Sequence, residues 1–97
     1  MDIKSVDIGN FKSAYFIGIG GIGMSALARY FSTLGWNVAG FDKTETNLTN
    51  ELQKEGIQIH FEDDTKLIPS HFLDTTSTIV VYTPAIPSKN KELQFFK

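Results

Sequence analysis

Four short apolar runs punctuate this chain, and segments with helical spacing or turn composition separate them. Ala14-Tyr15-Phe16-Ile17 is continuous and mostly aromatic or β-branched. Such a run predicts a strand buried on both faces of a parallel sheet. Trp36-Asn37-Val38-Ala39-Gly40-Phe41 predicts a second strand, ending at Asp42. Ile57-Gln58-Ile59-His60-Phe61 alternates and predicts a third, and Thr78-Ile79-Val80-Val81-Tyr82 predicts the fourth. Between the first two strands, Leu27, Tyr30, Phe31 and Leu34 recur at three- and four-residue spacings. They predict one apolar helix face, with Gly35 as its left-handed stop. Thr46 or Asn47 is placed to cap a helix through Leu48 and Leu52 to Lys54, which Gly56 ends. Leu67-Ile68-Pro69 and Phe72-Leu73 predict a short helical or irregular connection. A stiff loop with two prolines, Thr83-Pro84-Ala85-Ile86-Pro87, leaves the fourth strand. Ser88 or Asn90 then caps a last helix carrying Glu92, Leu93, Phe95 and Phe96. Residues 1–13 hold Ile3, Val6, Ile8 and Phe11 without a clean period and form a lead-in.

Strands that alternate with helices pair in parallel through right-handed crossovers. The expected architecture is therefore α/β, with about four strands in the order 3-2-1-4 and flanking helices. Its switch point falls between the first and fourth strands, and ligands of such sheets bind outside the carboxyl ends of the strands there. Three sequence features converge on that edge: the glycine stretch after the first strand, Asp42 after the second, and the loop at residues 83–87 after the fourth.

The glycine stretch reads Gly18-Ile19-Gly20-Gly21-Ile22-Gly23-Met24-Ser25. A strand that passes through glycines into a helix N-terminus offers backbone N–H groups and a positive dipole end to a phosphate. Gly18-x-Gly20-x-x-Gly23 matches the fingerprint of a Rossmann-like domain, and Asp42 lies 19 residues past Gly23. The first glycine permits a tight turn, the second lets amides approach a pyrophosphate, and the third lets the helix pack close to the sheet. A carboxylate at Asp42 accepts from ribose hydroxyls or simply ends the strand in a solvated turn. Ser25 either reaches phosphate with its hydroxyl or favours the helix start. The stretch also approaches a Walker A loop, but Met24 stands where that loop has its lysine, which excludes ATP hydrolysis here. The loop suits a bound diphosphate better than a reacting triphosphate.

Composition narrows the partners. With 9 Lys and Arg against 11 Asp and Glu among 97 residues, the net charge is −2, which argues against nucleic acid. Lys89, Lys91 and Lys97 read as a solvated helix end rather than a binding patch. No cysteine is present, so disulfides and thiolate metal sites are excluded. No run approaches the ~20 apolar residues of a membrane span. The first twelve residues lack the apolar core of a signal peptide, and a cytoplasmic location is expected. His60 ends the third strand on the ligand side, to contact a base or to sit half-buried at the surface. His71 and the acidic run Glu62-Asp63-Asp64 read as a connection residue and a solvated turn. No metal site and no catalytic set are visible.

Beyond the generic fingerprint, Phe16-Ile17-Gly18-Ile19-Gly20-Gly21-Ile22-Gly23-Met24-Ser25-Ala26-Leu27-Ala28 resembles the N-terminal signature of the Mur ligase family of peptidoglycan synthesis. The likeness is closest to the members that add L-alanine to UDP-N-acetylmuramate. Val38-Ala39-Gly40-Phe41-Asp42 is similar to that family's second strand, and Val80-Val81-Tyr82-Thr83-Pro84-Ala85-Ile86-Pro87 to its fourth strand and following loop. Thr83-Pro84 departs from the two serines common there, and the third strand ends Ile59-His60-Phe61-Glu62 where many members carry Gly-His or Asn-His a little later. The resemblance implies that residues 1–97 form the Rossmann-like UDP-binding N-terminal domain of a larger ATP-dependent, amide-forming ligase. It implies that Gly18, Gly20, Gly21, Ile22, Gly23, Met24 and Ser25 cradle the diphosphate. It places Asp42 near the uridine ribose and Thr83, Ala85 and Ile86 along the uridine. Central and C-terminal domains, with ATP and magnesium, supply the chemistry in such enzymes: phosphorylation of the muramoyl carboxylate, then attack by the L-alanine amine. This chain is thus expected to hold no catalytic residue and to be inactive alone. The alternatives are the domain of a murein-tripeptide recycling ligase, an NAD-binding half-domain and a nucleotide-sensing domain.

Overall fold

The computed structural model describes residues 11–97. Apart from Phe11, the apolar positions of the lead-in lie outside these residues. Four strands form one parallel sheet: β1 (Ser13–Ile17), β2 (Asn37–Phe41), β3 (Gln58–His60) and β4 (Thr78–Val81). Their order is β3-β2-β1-β4, as the alternation predicts. Register pairs Phe16 with Gly40 and with Val81, and Phe41 with His60. Every residue of β1 is buried. It is central, and it is covered on both faces, so it shows no polar alternation.

Successive β1 side chains point to opposite faces and seed two cores. Ala14 and Phe16 pack with Met24, Ala28, Phe31, Leu52 and Val81 beneath helices α1 (Ile22–Thr33) and α2 (Asn47–Lys54). Tyr15 and Ile17 pack with Phe41, Ile68, Phe72 and Leu93, under two 3₁₀ turns (Thr65–Leu67 and Ser70–Leu73) and helix α3 (Lys91–Phe96). A side chain such as Phe16, fully buried, contributes about 1.5–3 kcal/mol.

The helix ends follow the sequence signals. Thr46 caps α2 with a reciprocal pair: its hydroxyl accepts from Thr49 N–H, and the Thr49 hydroxyl accepts from Thr46 N–H. Asn90, rather than Ser88, caps α3 through Leu93 N–H at 2.8 Å. Gly35 and Gly56 both take positive φ just past α1 and α2.

The buried face of α1 differs from the predicted one. Met24, Ser25, Ala28 and Phe31 are buried, Leu27 is partly so, and Tyr30 and Leu34 are about half exposed at 51% and 49%. The spacing rule selects the bulkiest apolar residues. A helix that starts against the sheet on a glycine loop has no room for them, so the small residues Ser25 and Ala28 turn inward. Trp36, expected to open the second strand, instead stacks on Phe31 at 4.6 Å, and β2 begins one residue later.

Candidate functional site

The carboxyl ends of the strands open on a cleft of about 1060 Å³. The glycine loop forms one wall, the strand-end residues Phe41 and Asp42 the floor, and the 83–87 loop the facing wall. A smaller cavity of about 260 Å³ lies at the opposite end of the sheet, against Trp36, Gly56 and His71, away from the glycine loop.

Each wall has a local cause. Gly18 turns with φ +91°, and its N–H and that of Ile19 both donate to Phe41 O, at 2.7 and 3.0 Å. The loop is thereby tied across the end of β2. A Cβ on Gly18 would lie 2.9 Å from Ile86 Cδ1, so this glycine also lets the facing wall approach. Gly20 donates its N–H to Asp42 Oδ2 at 2.8 Å, while Thr44 N–H donates to Asp42 Oδ1 at 3.0 Å. Asp42 thus fastens the loop to β2. Each of its oxygens keeps a second lone pair for a ligand.

Gly21 precedes α1 in an extended conformation, and no side chain caps the helix. Ser25 N–H, donating to Gly21 O at 2.8 Å, makes the first helical bond. The N–H groups of Ile22, Gly23 and Met24 have no acceptor among the described residues, and the first turn carries no acidic side chain. Orphan donors at a positive dipole end, facing a cleft, are arranged for an anion.

Of the residues singled out in the sequence, Gly18, Gly21, Gly23, Met24, Asp42, Thr83, Ala85 and Ile86 line this one cleft. Gly20, Ile22 and Ser25 do not. Gly20 is engaged with Asp42, and Ile22 turns its side chain to solvent at 88% exposure. The Ser25 hydroxyl is buried and donates to Ile22 O at 2.9 Å, inside its own helix. Met24 serves both the cleft lining and the core. The cleft also recruits residues that the sequence did not mark as site residues, among them Tyr82, Asp63, Lys43, Lys89 and Lys91. Lys89 and Lys91, read as a solvated helix end, stand at the cleft rim. Nothing in their local pattern signals this, because the turn at residues 87–90 decides where they point.

A second polar group lies behind the cleft wall. Glu92 is fully buried. Its Oε1 accepts from the Tyr15 hydroxyl at 2.5 Å, and its Oε2 from His60 Nε2 at 2.6 Å and Asp64 N–H at 3.3 Å. Asp63 accepts from Lys91 and Glu92 N–H, at 2.8 and 3.1 Å, closing the start of α3. His60 is therefore a member of a network joining β1, β3 and α3, and it does not line the cleft. The acidic run is not a solvated turn: Asp63 and Asp64 are half-buried and bonded.

Burial, the hydrogen bond to Glu92 and the nearby charges of Glu92 and Asp63 push the Tyr15 phenol far above its ordinary value of 10.0. The neutral phenol is favoured in the fold, so its contribution is full below pH 10 and is lost as the unfolded chain ionises above that pH. Between pH 10 and 11, the protein is expected to lose about 1 kcal/mol more stability than Tyr15→Phe. Denaturant titrations at the two pH values check this, and equal losses would disprove the linkage.

A parallel sheet of order 3-2-1-4, with a glycine loop, an uncapped helix and an acidic strand end at its switch point, defines a Rossmann-like domain with a cleft at the carboxyl ends of its strands. The profile described as "Mur ligase family, catalytic domain" matches residues 13–97, and the chain belongs to the Mur ligase family. It is 54% identical over 86 residues to a protein of Porphyromonas gingivalis named UDP-N-acetylmuramate–L-alanine ligase, spanning 89% of this chain and 19% of the relative. A protein of the same name from Phocaeicola vulgatus is 51% identical over 92 residues, spanning 95% of this chain and 20% of that one. The chain thus spans about a fifth of the length of these relatives. Among solved structures, the UDP-N-acetylmuramate-alanine ligase of Thermotoga maritima superposes with a TM-score of 0.72 at 34% identity, over 84% of this chain and 18% of that one. Among the described residues no helix is long and apolar enough to cross a membrane.

Proposed function

We propose that this chain is a single Rossmann-like domain that holds the UDP part of UDP-N-acetylmuramate for a cytoplasmic, ATP-dependent ligase adding L-alanine in peptidoglycan synthesis. The observation that carries the reading is the uncapped start of α1, facing the 83–87 loop across a cleft large enough for a nucleoside diphosphate. The names of relatives more than 50% identical supply the nucleotide and the reaction. In this reading the amides of residues 22–24 take the diphosphate, Asp42 meets a ribose hydroxyl, and Thr83, Ala85 and Ile86 flank the base. Gly18 and Gly20 shape the loop, and Ser25 holds the first turn of α1.

ATP and magnesium, implied for the whole enzyme, do not suit this cleft. Met24 stands where a phosphate-transferring loop needs lysine. Among the described residues no group of three or more His, Asp or Glu side chains is placed to hold a metal ion. The domain's part is to bind and orient the inert end of the substrate, while the muramoyl carboxylate reaches a catalytic site on other domains.

Titration calorimetry with UDP, UDP-N-acetylmuramate and NAD tests the reading. Heat is expected with both uridine nucleotides and none with NAD. The opposite pattern would favour an oxidoreductase half-domain. As a separate prediction, the 97-residue chain is expected to release no phosphate from ATP, with or without L-alanine. Turnover in a phosphate-release assay would refute the assignment of the chemistry to other domains.

A further inference from the structure

The glycine loop offers an anion only neutral groups. It carries no charged side chain, and the first turn of α1 contains none. A diphosphate held out of water needs counter-charge as well as amides. Arg29 does not supply it, because its guanidinium is paired with Glu55 at 2.8 Å on the outer side of α1 and α2.

Among the described residues the cleft holds three cations. Lys43 follows Asp42 in the turn after β2, Lys89 ends the loop after β4, and Lys91 opens α3. All three side chains are exposed at its rim. None is ion-paired among the described residues. The two carboxylates of the same cleft are occupied by backbone: Asp42 accepts from Gly20 and Thr44, and Asp63 from Lys91 and Glu92. A chain of net charge −2 thus gathers a third of its Lys and Arg residues around one opening, three positive charges against the two negative charges of Asp42 and Asp63, which their backbone partners hold in place. Facing low-dielectric walls focus such a field into the opening.

We propose that Lys43, Lys89 and Lys91 form a cationic rim that neutralises the diphosphate of the bound nucleotide and sets the preference of this cleft for diphosphates over less charged ligands. The inference rests on the UDP reading above and deepens it. The glycine loop fixes where the phosphates lie, and the lysines supply most of the ionic part of the affinity. That part is screened by salt.

The test is calorimetric titration of the full chain with UDP and with uridine, at 25 and 250 mM NaCl. The protein is compared with the triple variant K43Q/K89Q/K91Q and with K43R/K89R/K91R, which keeps the charge. Thermal melting confirms that each variant is folded. The exposed positions make that the expected result, and the arginine variant reads the same charge if the glutamine variant fails. UDP affinity is expected to fall about tenfold or more in the glutamine variant at low salt, with a flattened salt dependence. The arginine variant retains both, and uridine binding is unchanged throughout. Wild-type affinity and salt dependence in the glutamine variant, or their loss in the arginine variant, would overturn the cationic rim while leaving the UDP reading intact. Failure of the unsubstituted chain to bind UDP at either salt would overturn both.

Discussion

Gly40→Ala is expected to lower the unfolding free energy by about 3 kcal/mol or more, enough to leave a small domain marginal. Gly40 sits in β2 opposite Phe16. A Cβ there would lie 2.5 Å from the Phe16 carbonyl oxygen, 2.9 Å from Ile19 Cδ1 and 3.0 Å from Ile19 Cβ. The first contact is with backbone in the buried centre of the sheet, so no side-chain rotation relieves it. The glycine loop would have to lift from β2. Gly56 makes the control: its φ is +97°, but a Cβ there meets nothing within 4 Å. Gly56→Ala is expected to cost about 1–2 kcal/mol, from the left-handed backbone alone. Urea unfolding of the two variants measures the contrast. Equal midpoints would show that the close approach of loop and strand is unimportant.

Glu92→Ala is expected to destabilise by about 2–4 kcal/mol, since it removes a buried acceptor of three hydrogen bonds, and each buried partner left poorly satisfied costs about 1–3 kcal/mol. The loss leaves the Tyr15 hydroxyl and the His60 imidazole with only their mutual hydrogen bond, at 3.2 Å, in place of a carboxylate that accepts from both. It also removes the acceptor of Asp64 N–H and frees α3 from β1 and β3. Simultaneous replacement of Tyr15, His60 and Glu92 by Phe, Leu and Leu is expected to recover most of that loss, since a packed apolar group needs no partners. A Glu92→Ala variant less than about 1 kcal/mol below the parent would show that Glu92 is not held as a buried acceptor.

The two expectations differ in how much local sequence announces them. Gly40 lies in an apolar run, where its lack of a side chain is a visible interruption, and glycine in a strand often marks a close approach of backbone. The direction of that approach, towards Ile19, follows only from the crossover that lays the loop over β2. Glu92 gave no local signal. Its partners Tyr15 and His60 lie 77 and 32 residues away, and a glutamate near the start of a helix usually reads as a solvated dipole partner. Asp63 and Asp64 misled for the same reason, because an acidic run is solvated unless distant amides come to meet it.

What the chain determined by itself is the sheet and its edge. Short buried runs, helix caps at Thr46 and Asn90 and stops at Gly35 and Gly56 are local preferences. The parallel order then follows from handed crossovers, which carry the glycine loop, Asp42 and the 83–87 loop to one end. Tertiary structure alone decided which side chains that edge presents. The close seating of α1 turned Ser25 inward and Tyr30 outward. The tie between Gly20 and Asp42 engaged one glycine of the loop and left the amides after Gly21 open. The network around Glu92 holds α3 against β1 and β3, and Lys89 and Lys91 line the same cleft as Lys43. Periodicity and capping act within a few residues and are written in sequence, whereas contact between residues tens of positions apart depends on how closely the packed layers approach.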